Sequence, residues 1–226
     1  MWLLHQFPLC PFSRKVRLLL GEKGVGYELA LEKPWERRDE FIDLNPAGTT
    51  PVLVETDRDI KLSNSNAICE YFEETVDKAR MISGTAIDRA EIRRLTAWFD
   101  ETFYQAVTGP LLQERMLKRV VHRMSPDTAS LREAMKAANA MLDYVDFLID
   151  HRAWLGGSAL SLADLAAAAH ISVADYLGGI DWRAHDQTRG WYMAMKSRPS
   201  FRPLLAERMA GVSPPVDYDK VDFGDN

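Results

Sequence analysis

A cysteine followed by proline, Cys10-Pro11, is the arrangement in this sequence that could do nucleophilic chemistry. The pair follows a short apolar run, and residues 16–23 after it have the apolar spacing of a helix. Because proline is favoured in the first helical turn, Cys10 is expected at a helix N-terminus, where unpaired N–H groups and the helix dipole favour a thiolate. The alternative is a small buried apolar residue at a helix start. The first interpretation makes Cys10 a candidate nucleophile.

The residue three positions after Cys10 is Ser13, so a thioredoxin-style pair of cysteines is excluded. A Cys-x-x-Ser site can form a mixed disulfide and release it by exchange, with Ser13 donating a hydrogen bond to the sulfur. A helix-capping hydroxyl is the alternative role for Ser13. The second cysteine, Cys69, lies inside an apolar helical pattern and is expected to be buried and unreactive.

The elements that must position Cys10 alternate between strand and helix patterns over residues 1–78. Alternating or apolar runs predict four strands, and glycines at positions 24 and 26 end the helix that Cys10 begins. The predicted order is strand 2–5, helix 11–23, strand 27–31, a short helix ending near 44, strands 51–54 and 60–62, and a helix capped by Ser63 or Asn64. This order predicts a thioredoxin-like domain.

Residues 77–84 break that pattern and predict a linker, after which the sequence is helical throughout. Apolar residues at helical spacing mark two stripes separated by Pro110 and a longer stripe over residues 131–148. Residues 160–176 are apolar almost all round, which predicts a central buried helix begun by a capping box of Ser161 and Asp164. The predicted organisation is a thioredoxin-like domain at 1–78, an all-α domain at 84–210 and a C-terminal tail at 211–226.

Composition excludes several classes of function. The 226 residues carry a net charge of −5, which argues against a nucleic-acid binder. No apolar run is long enough to cross a bilayer, and no export signal is evident, so no membrane association is expected. With two cysteines, a reducing, cytoplasmic setting is expected. The five histidines lack metal-ligand spacing and no nucleotide-binding motif occurs, so neither a metal nor a nucleotide cofactor is expected.

Four motifs in order resemble the glutathione S-transferase superfamily over roughly residues 1–210. They are Cys10-Pro11-Phe12-Ser13, similar to the CPF motif of cysteine-containing members; Asn45-Pro46-Ala47-Gly48-Thr49-Thr50-Pro51-Val52-Leu53; Leu62-Ser63-Asn64-Ser65-Asn66-Ala67-Ile68; and Ser161-Leu162-Ala163-Asp164. The resemblance implies a thioredoxin-like N-terminal domain joined to an all-α C-terminal domain. It also implies a homodimer.

The resemblance further implies a glutathione site beside Cys10. Pro51 would follow a cis peptide bond that leaves the backbone N–H and C=O of Thr50 free to pair with glutathione as with an added strand; a purely structural turn is the alternative. Asn64 and Ser65 would hold the γ-glutamyl end at the start of the third helix. Family members usually carry Glu or Gln at the position of Asn64, and plain helix capping is the alternative role there.

Two functions follow from these interpretations. The first, favoured on the sequence, is glutathione-dependent thiol transfer or conjugation to a small electrophile or disulfide. In that case Cys10 is the nucleophile, glutathione is the co-substrate, and residues around Phe103, Tyr104, Gln105 and Leu112 line the pocket for the second substrate.

The second function is binding without catalysis. Three segments together resemble a transferase-like α-proteobacterial protein that binds the tubulin-like division protein FtsZ: Glu32-Lys33-Pro34-Trp35-Glu36, Asn45-Pro46-Ala47-Gly48 and the tail with its Pro-Pro, Asp-Tyr and Asp-Phe pairs. That resemblance implies a regulator of bacterial cell division, with Trp35, Arg37, Arg38 and the tail as contacts, since exposed Trp and Arg dominate interfaces. The alternatives are a Trp35 that lies back on the domain among solvated charges and a tail that is a disordered end.

Overall fold

A four-stranded mixed sheet organises the first part of the molecule in the computed structural model, which describes residues 1–222. The strands are β1 (Trp2–Gln6), β2 (Tyr27–Leu31), β3 (Val52–Glu55) and β4 (Ile60–Ser63), in the spatial order β2-β1-β3-β4. β1 pairs in parallel with β2 and antiparallel with β3, and β3 pairs antiparallel with β4. β2 is therefore an edge strand, and it leaves Leu29 and Leu31 exposed.

Three helices complete this part: α1 (Pro11–Lys23), α2 (Asp39–Leu44) and α3 (Ser65–Thr75). Cys10 is the N-cap residue of α1, which ends at Gly24 with a left-handed φ of 70°. A β-carbon would be unfavourable in that conformation, so glycine suits the helix end. The strand-to-helix junction predicted around Cys10 is therefore present, and residues close to it in sequence account for it.

A single continuous helix spans residues 86–121 and contains Pro110. It consists of α4 (Ala86–Ala97), a π-helical segment (Trp98–Thr108), α5 (Gly109–Leu112) and a second π-helical segment (Gln113–Val121). The sequence predicted two stripes separated at Pro110. The widened turns explain the difference: the N–H of Gly109 bonds to the carbonyl of Tyr104, five residues back, so the ladder is already displaced where proline lacks a donor.

The remaining helices are α6 (Thr128–His151), α7 (Leu162–Tyr176), α8 (Asp186–Lys196) and α9 (Arg202–Ala206). Every residue of α7 is buried, as the near-continuous apolar pattern predicted. α7 packs along α1, α4 and the first π-helical segment, and so joins the two parts of the chain. Within residues 1–222, no helix combines the length and the apolar character needed to span a bilayer.

Candidate functional site

Cys10 lies in the wall of an open cleft of about 440 Å³ between the two parts of the molecule. The cleft is lined mainly by apolar and aromatic side chains from the β1–α1 loop, the segment after β2 and the long helix: Phe7, Leu9, Pro11, Phe12, Pro34, Trp35, Leu112, Met116 and Leu117, with Tyr104, Gln113, Thr49 and Thr50 beside them. Cys10 is partly exposed there. The cleft can therefore hold an apolar group against a thiol.

The Cys10 thiol donates to the backbone carbonyl of Thr50, with 3.5 Å between Sγ and the oxygen. The Thr50–Pro51 peptide bond is cis, as the resemblance implied. The sequence interpretation needed the Thr50 carbonyl for a peptide ligand. In this structure that carbonyl accepts from the Cys10 side chain instead, so a ligand strand would have to displace the contact.

Ser13 lies on α1 but away from the cleft. It is fully buried, and its hydroxyl has no hydrogen-bond partner among the described residues. The structure therefore does not bring Ser13 to the cleft surface beside Cys10, and its predicted catalytic role stays a prediction. Cys69 on α3 is fully buried, and burial raises the pKa of its thiol to about 12.

Asn64 caps α3 with its own side chain. Its Oδ1 accepts from the backbone N–H groups of Asn66, at 2.8 Å, and Ala67, at 3.4 Å. Its φ of 74° with a ψ of 125° is a positive-φ conformation outside the αL region, which residues other than glycine rarely adopt. These are donors that a carboxylate bound at the start of α3 would use. The capping role of Asn64 is thus present, and Ser65 next to it is buried.

The predicted glutathione-binding residues make contacts within the protein itself. Asn64 occupies helix donors, Thr50 accepts from Cys10, and neither Asn64, Ser65 nor Pro51 lines the Cys10 cleft. The cleft fits an apolar group near Cys10, and glutathione binding at Thr50, Pro51, Asn64 and Ser65 stays a prediction.

An aromatic cluster forms the wall of the cleft that faces the helical part. The ring of Phe12 lies 5.0 Å from that of Tyr104 and 5.4 Å from that of His170, centroid to centroid. Of the four residues predicted for the second-substrate pocket, Tyr104 and Leu112 line the cleft. Phe103 is buried behind it, and Gln105 is exposed outside it.

A buried polar network lies directly behind this wall. Lys15 donates to Asp100 and, at 2.7 Å, to Asn66 Oδ1; Asp100 Oδ1 lies 3.3 Å from His170 Nε2, and Thr108 Oγ1 lies 3.3 Å from His170 Nδ1. Both contacts are satisfied by neutral His170 with its proton on Nε2 and with the Thr108 hydroxyl donating to Nδ1.

Burial controls the ionisation of this network. It lowers the pKa of His170. Burial alone would raise the pKa of Asp100, but the nearby Lys15 and His170 hold it below its usual value. Sequence analysis missed the network, although a histidine within the apolar 160–176 pattern was the signal that could have indicated it.

Trp35 lies at the edge of the cleft, next to a second groove on the surface. It lies in a one-turn 3₁₀-helix, Pro34–Glu36, with its ring edge-on to Phe7 at 5.0 Å. It also lines a second groove of about 520 Å³ that reaches Leu31 and Met209. Part of the Trp35 side chain is therefore covered by the domain, and the rest is accessible to solvent.

The two arginines predicted beside Trp35 differ in role. Arg38 forms an ion pair of 2.7 Å with the buried carboxylate of Glu32, so its position is explained within the fold. Arg37 is exposed and has a left-handed φ of 45°. Both arginines are exposed, and Arg38 is the one whose side chain is fixed by an ion pair.

Asp143, Asp146 and His185 come together away from the cleft, with potential ligand atoms within 4.8 Å of one another. Asp146 accepts from the backbone N–H and hydroxyl of Thr188, both at 2.7 Å, and lies 2.8 Å from His185 Nδ1. These contacts cap the first turn of α8 from α6. The group is accounted for as a helix-capping arrangement.

The C-terminal tail does not cover the cleft: the cleft lining contains no residue after Leu117 within the described part of the chain. Two buried residues of the tail contact the helices instead: the carbonyl of Val212 accepts from Tyr176 on α7, and the hydroxyl of Tyr218 accepts from Arg14 on α1. The end of the predicted tail, 223–226, lies outside the described residues.

Comparisons with known proteins agree with this architecture. The glutathione S-transferase N-terminal domain profile matches residues 4–80. FtsZ-localized protein A of Caulobacter vibrioides is 46% identical over 222 residues, which is 97% of each chain. The structure of FzlA from C. crescentus is 45% identical with a TM-score of 0.96, covering 98% of this chain and 99% of that one.

A crystal structure of a glutathione S-transferase from Rhodospirillum rubrum F11 is equally similar. It is 44% identical with a TM-score of 0.96 and covers 99% of this chain and 100% of that one. The thioredoxin-like domain and the all-α domain predicted from the sequence are therefore confirmed. With near-complete coverage at this identity, the chain belongs to the glutathione S-transferase superfamily.

Proposed function

We propose that this protein is a transferase-like binding partner of FtsZ that regulates bacterial cell division without catalysis. The observation that carries the proposal is the 46% identity, over 97% of both chains, with a protein whose name records its localisation to FtsZ. The sequence favoured the enzyme instead, and the comparisons support the alternative better.

The arrangement at the predicted glutathione site supports the same choice. The side chain of Asn64 satisfies N–H groups at the start of α3, and the thiol of Cys10 contacts the carbonyl of Thr50. Both are groups that a glutathione enzyme of this fold would present to its ligand. A protein that keeps the fold and fills these positions internally has the properties of a binding scaffold.

The contact surface for the partner is proposed around Trp35. Leu29 and Leu31 are 46% and 61% exposed on the neighbouring edge strand, and Arg37 is exposed next to the tryptophan. An aromatic ring and an arginine among exposed apolar side chains form the kind of patch that dominates binding energy. We name Leu29, Leu31, Trp35 and Arg37 the Trp35 surface.

Co-sedimentation with FtsZ polymers assembled with GTP tests the proposal. The unmodified protein should pellet with the polymers, and Trp35→Ala and Arg37→Glu should each weaken its apparent affinity by about tenfold or more. Arg183→Glu is the matched control because Arg183 is an exposed arginine, on the 3₁₀-helix Trp182–Ala184. Failure of the unmodified protein to pellet contradicts the proposed partner; equal pelleting of all variants contradicts the proposed surface.

Glutathione-dependent thiol transfer or conjugation is the second candidate, favoured by the partly exposed Cys10 in an apolar cleft. Isothermal titration with glutathione separates the two functions. We expect a Kd weaker than about 1 mM, because the polar groups at Thr50 and Asn64 are engaged. Tighter binding that is lost in Ser65→Ala would instead support the enzyme.

We also propose that the protein is a cytoplasmic homodimer, as the family resemblance implies. Light scattering after size-exclusion chromatography should give about twice the chain mass of 25.7 kDa. A mass of one chain at micromolar concentration would contradict the dimer.

A further inference from the structure

The segment that follows α9, residues 207–222, is packed into the molecule and is named here the C-terminal segment. The hydroxyl of Tyr176 on α7 donates to the carbonyl of Val212 at 2.8 Å and accepts from the N–H of Met209 at 2.9 Å. Arg208 and Asp219 form an ion pair of 2.6 Å that closes the segment on itself. These contacts hold the backbone of the C-terminal segment in one conformation.

Tyr218 is the deepest point of the C-terminal segment. Its side chain is 1% exposed, and its ring lies edge-on to Tyr176 at 5.0 Å. Its hydroxyl accepts from Arg14 Nη1 at 3.0 Å. Arg14 belongs to α1 and is fully buried, so this hydrogen bond to a charged donor forms away from water, where it is stronger.

Arg14 connects Tyr218 to the loop that carries Cys10. Its Nε donates to the carbonyl of Pro8 at 2.7 Å, while its Nη1 also donates to Ser172 Oγ at 2.8 Å. Within the loop, the N–H of Cys10 donates to the carbonyl of Phe7 at 2.9 Å. One planar guanidinium therefore holds the loop on one side and the C-terminal segment on the other.

The same loop supports the Trp35 surface. Phe7 packs edge-on against Trp35 at 5.0 Å, and Phe7 and Pro8 line the groove beneath Trp35. A displacement of Pro8 would thus move both the Cys10 thiol and the ring of Trp35.

We propose that the C-terminal segment is a latch on the Cys10 loop, acting through the relay Tyr218–Arg14–Pro8. With Tyr218 seated, Arg14 is held at both ends and fixes the loop. Withdrawal of Tyr218 by anything that captures the segment leaves Ser172 as the remaining acceptor of Arg14 Nη1, and the weaker hold on the guanidinium loosens Phe7, Pro8 and Cys10 together. The inference concerns the chain alone and does not depend on which partner it binds.

Amide hydrogen exchange of the full-length protein, measured at Cys10 by NMR, tests the relay. Tyr218→Phe removes the hydroxyl and keeps the ring, so the segment stays packed while Arg14 loses an acceptor. Exchange of the Cys10 amide should accelerate on the order of tenfold, the effect expected for loss of a buried hydrogen bond to a charged group. Arg14→Lys should do the same, because one ammonium cannot bridge the two sites that the guanidinium spans.

Two controls separate the relay from general loosening. Asp219→Asn breaks the ion pair within the segment without touching Arg14, and Tyr144→Phe removes a distant tyrosine hydroxyl that also accepts from an arginine, Arg94. Both should leave Cys10 exchange within about twofold of the unmodified protein. Unchanged Cys10 exchange in Tyr218→Phe, or equal acceleration in Tyr144→Phe, would overturn the relay.

Discussion

Replacement of Asp164 should destabilise the protein far more than a normal helix cap does. Its Oδ1 accepts from the Leu155 N–H at 2.8 Å and the Trp191 indole N–H at 3.1 Å. Its Oδ2 accepts from the Ser161 N–H at 2.9 Å and the Ser161 hydroxyl at 2.7 Å. One fully buried carboxylate therefore caps α7 and also fixes the loop before it and a side chain of α8.

The expected cost follows from the donors left behind. In Asp164→Ala the Ser161 hydroxyl can turn to another acceptor, but two backbone N–H groups and one indole N–H stay buried without one. Each unsatisfied buried donor costs about 1–3 kcal/mol. Removal of a carboxylate whose burial raises its pKa returns part of that cost. We expect a loss of about 3–5 kcal/mol in the free energy of unfolding.

Urea unfolding, followed by circular dichroism and tryptophan fluorescence, measures this loss. Asp164→Asn should lose about 1–3 kcal/mol, since it keeps one oxygen but turns an NH₂ group toward Ser161. The matched control is Asp88→Ala, because Asp88 completes the same capping box with Thr85 at the start of α4 but on an exposed surface. Equal losses in the Asp88 and Asp164 variants would refute the reasoning, which assigns the difference to burial.

Three further predictions concern ionisation, thiol reactivity and capping. Burial lowers the pKa of His170, so the unfolded chain binds more protons below about pH 6.5 and the free energy of unfolding should fall there, by at most about 1.4 kcal/mol per pH unit. His170→Gln should reduce that dependence in urea titrations at pH 7.5 and 5.5, and an unchanged slope would contradict it. At pH 8, Ellman's reagent should modify one thiol in the native protein, Cys10, and two in denaturant, because the pKa of buried Cys69 is raised to about 12; two reactive thiols in the native protein would contradict this. Asn64→Gly should cost a few tenths of a kcal/mol and Asn64→Ala about 1 kcal/mol, because glycine tolerates the φ of 74° whereas alanine loses both the cap and the favourable backbone. Equal losses of unfolding free energy in the two Asn64 variants would contradict that capping argument.

The elements predicted from the sequence were those governed by neighbouring residues. Gly24 ends α1, Asn64 caps α3, and the apolar run after Ser161 is the buried α7. The continuous helix through Pro110 was not predictable in this way, because no neighbouring residue signals its π-helical turns; the first π-helical segment packs against α6 and α7, which are distant in sequence. Rules based on neighbouring residues predict where a helix ends, but they do not predict a π-helical turn within it.

The positions of the site residues were predictable, but their hydrogen-bond contacts were not. The sequence placed Cys10 and the cis Thr50–Pro51 bond correctly, whereas the contact between them joins residues 40 positions apart. Lys15 and His170 escaped prediction for the same reason: each lies in a helix pattern, and their shared partner Asp100 is distant in sequence. Contacts of long sequence separation decide whether a recognisable motif is available to a ligand.

That distinction bears on the choice between the two proposed functions. Cys10 has the location of a nucleophile at a helix start, but its thiol contacts Thr50, and the polar end of the neighbouring helix is satisfied by Asn64. Meanwhile Trp35 lies on the edge of the same cleft, held through Phe7 by the loop that contains Cys10. A ligand or modification at Cys10 would therefore act on the Trp35 surface through that loop. Under the proposed function, we expect alkylation of Cys10 to change the affinity for FtsZ, and an unchanged affinity would show that Cys10 and the Trp35 surface act independently.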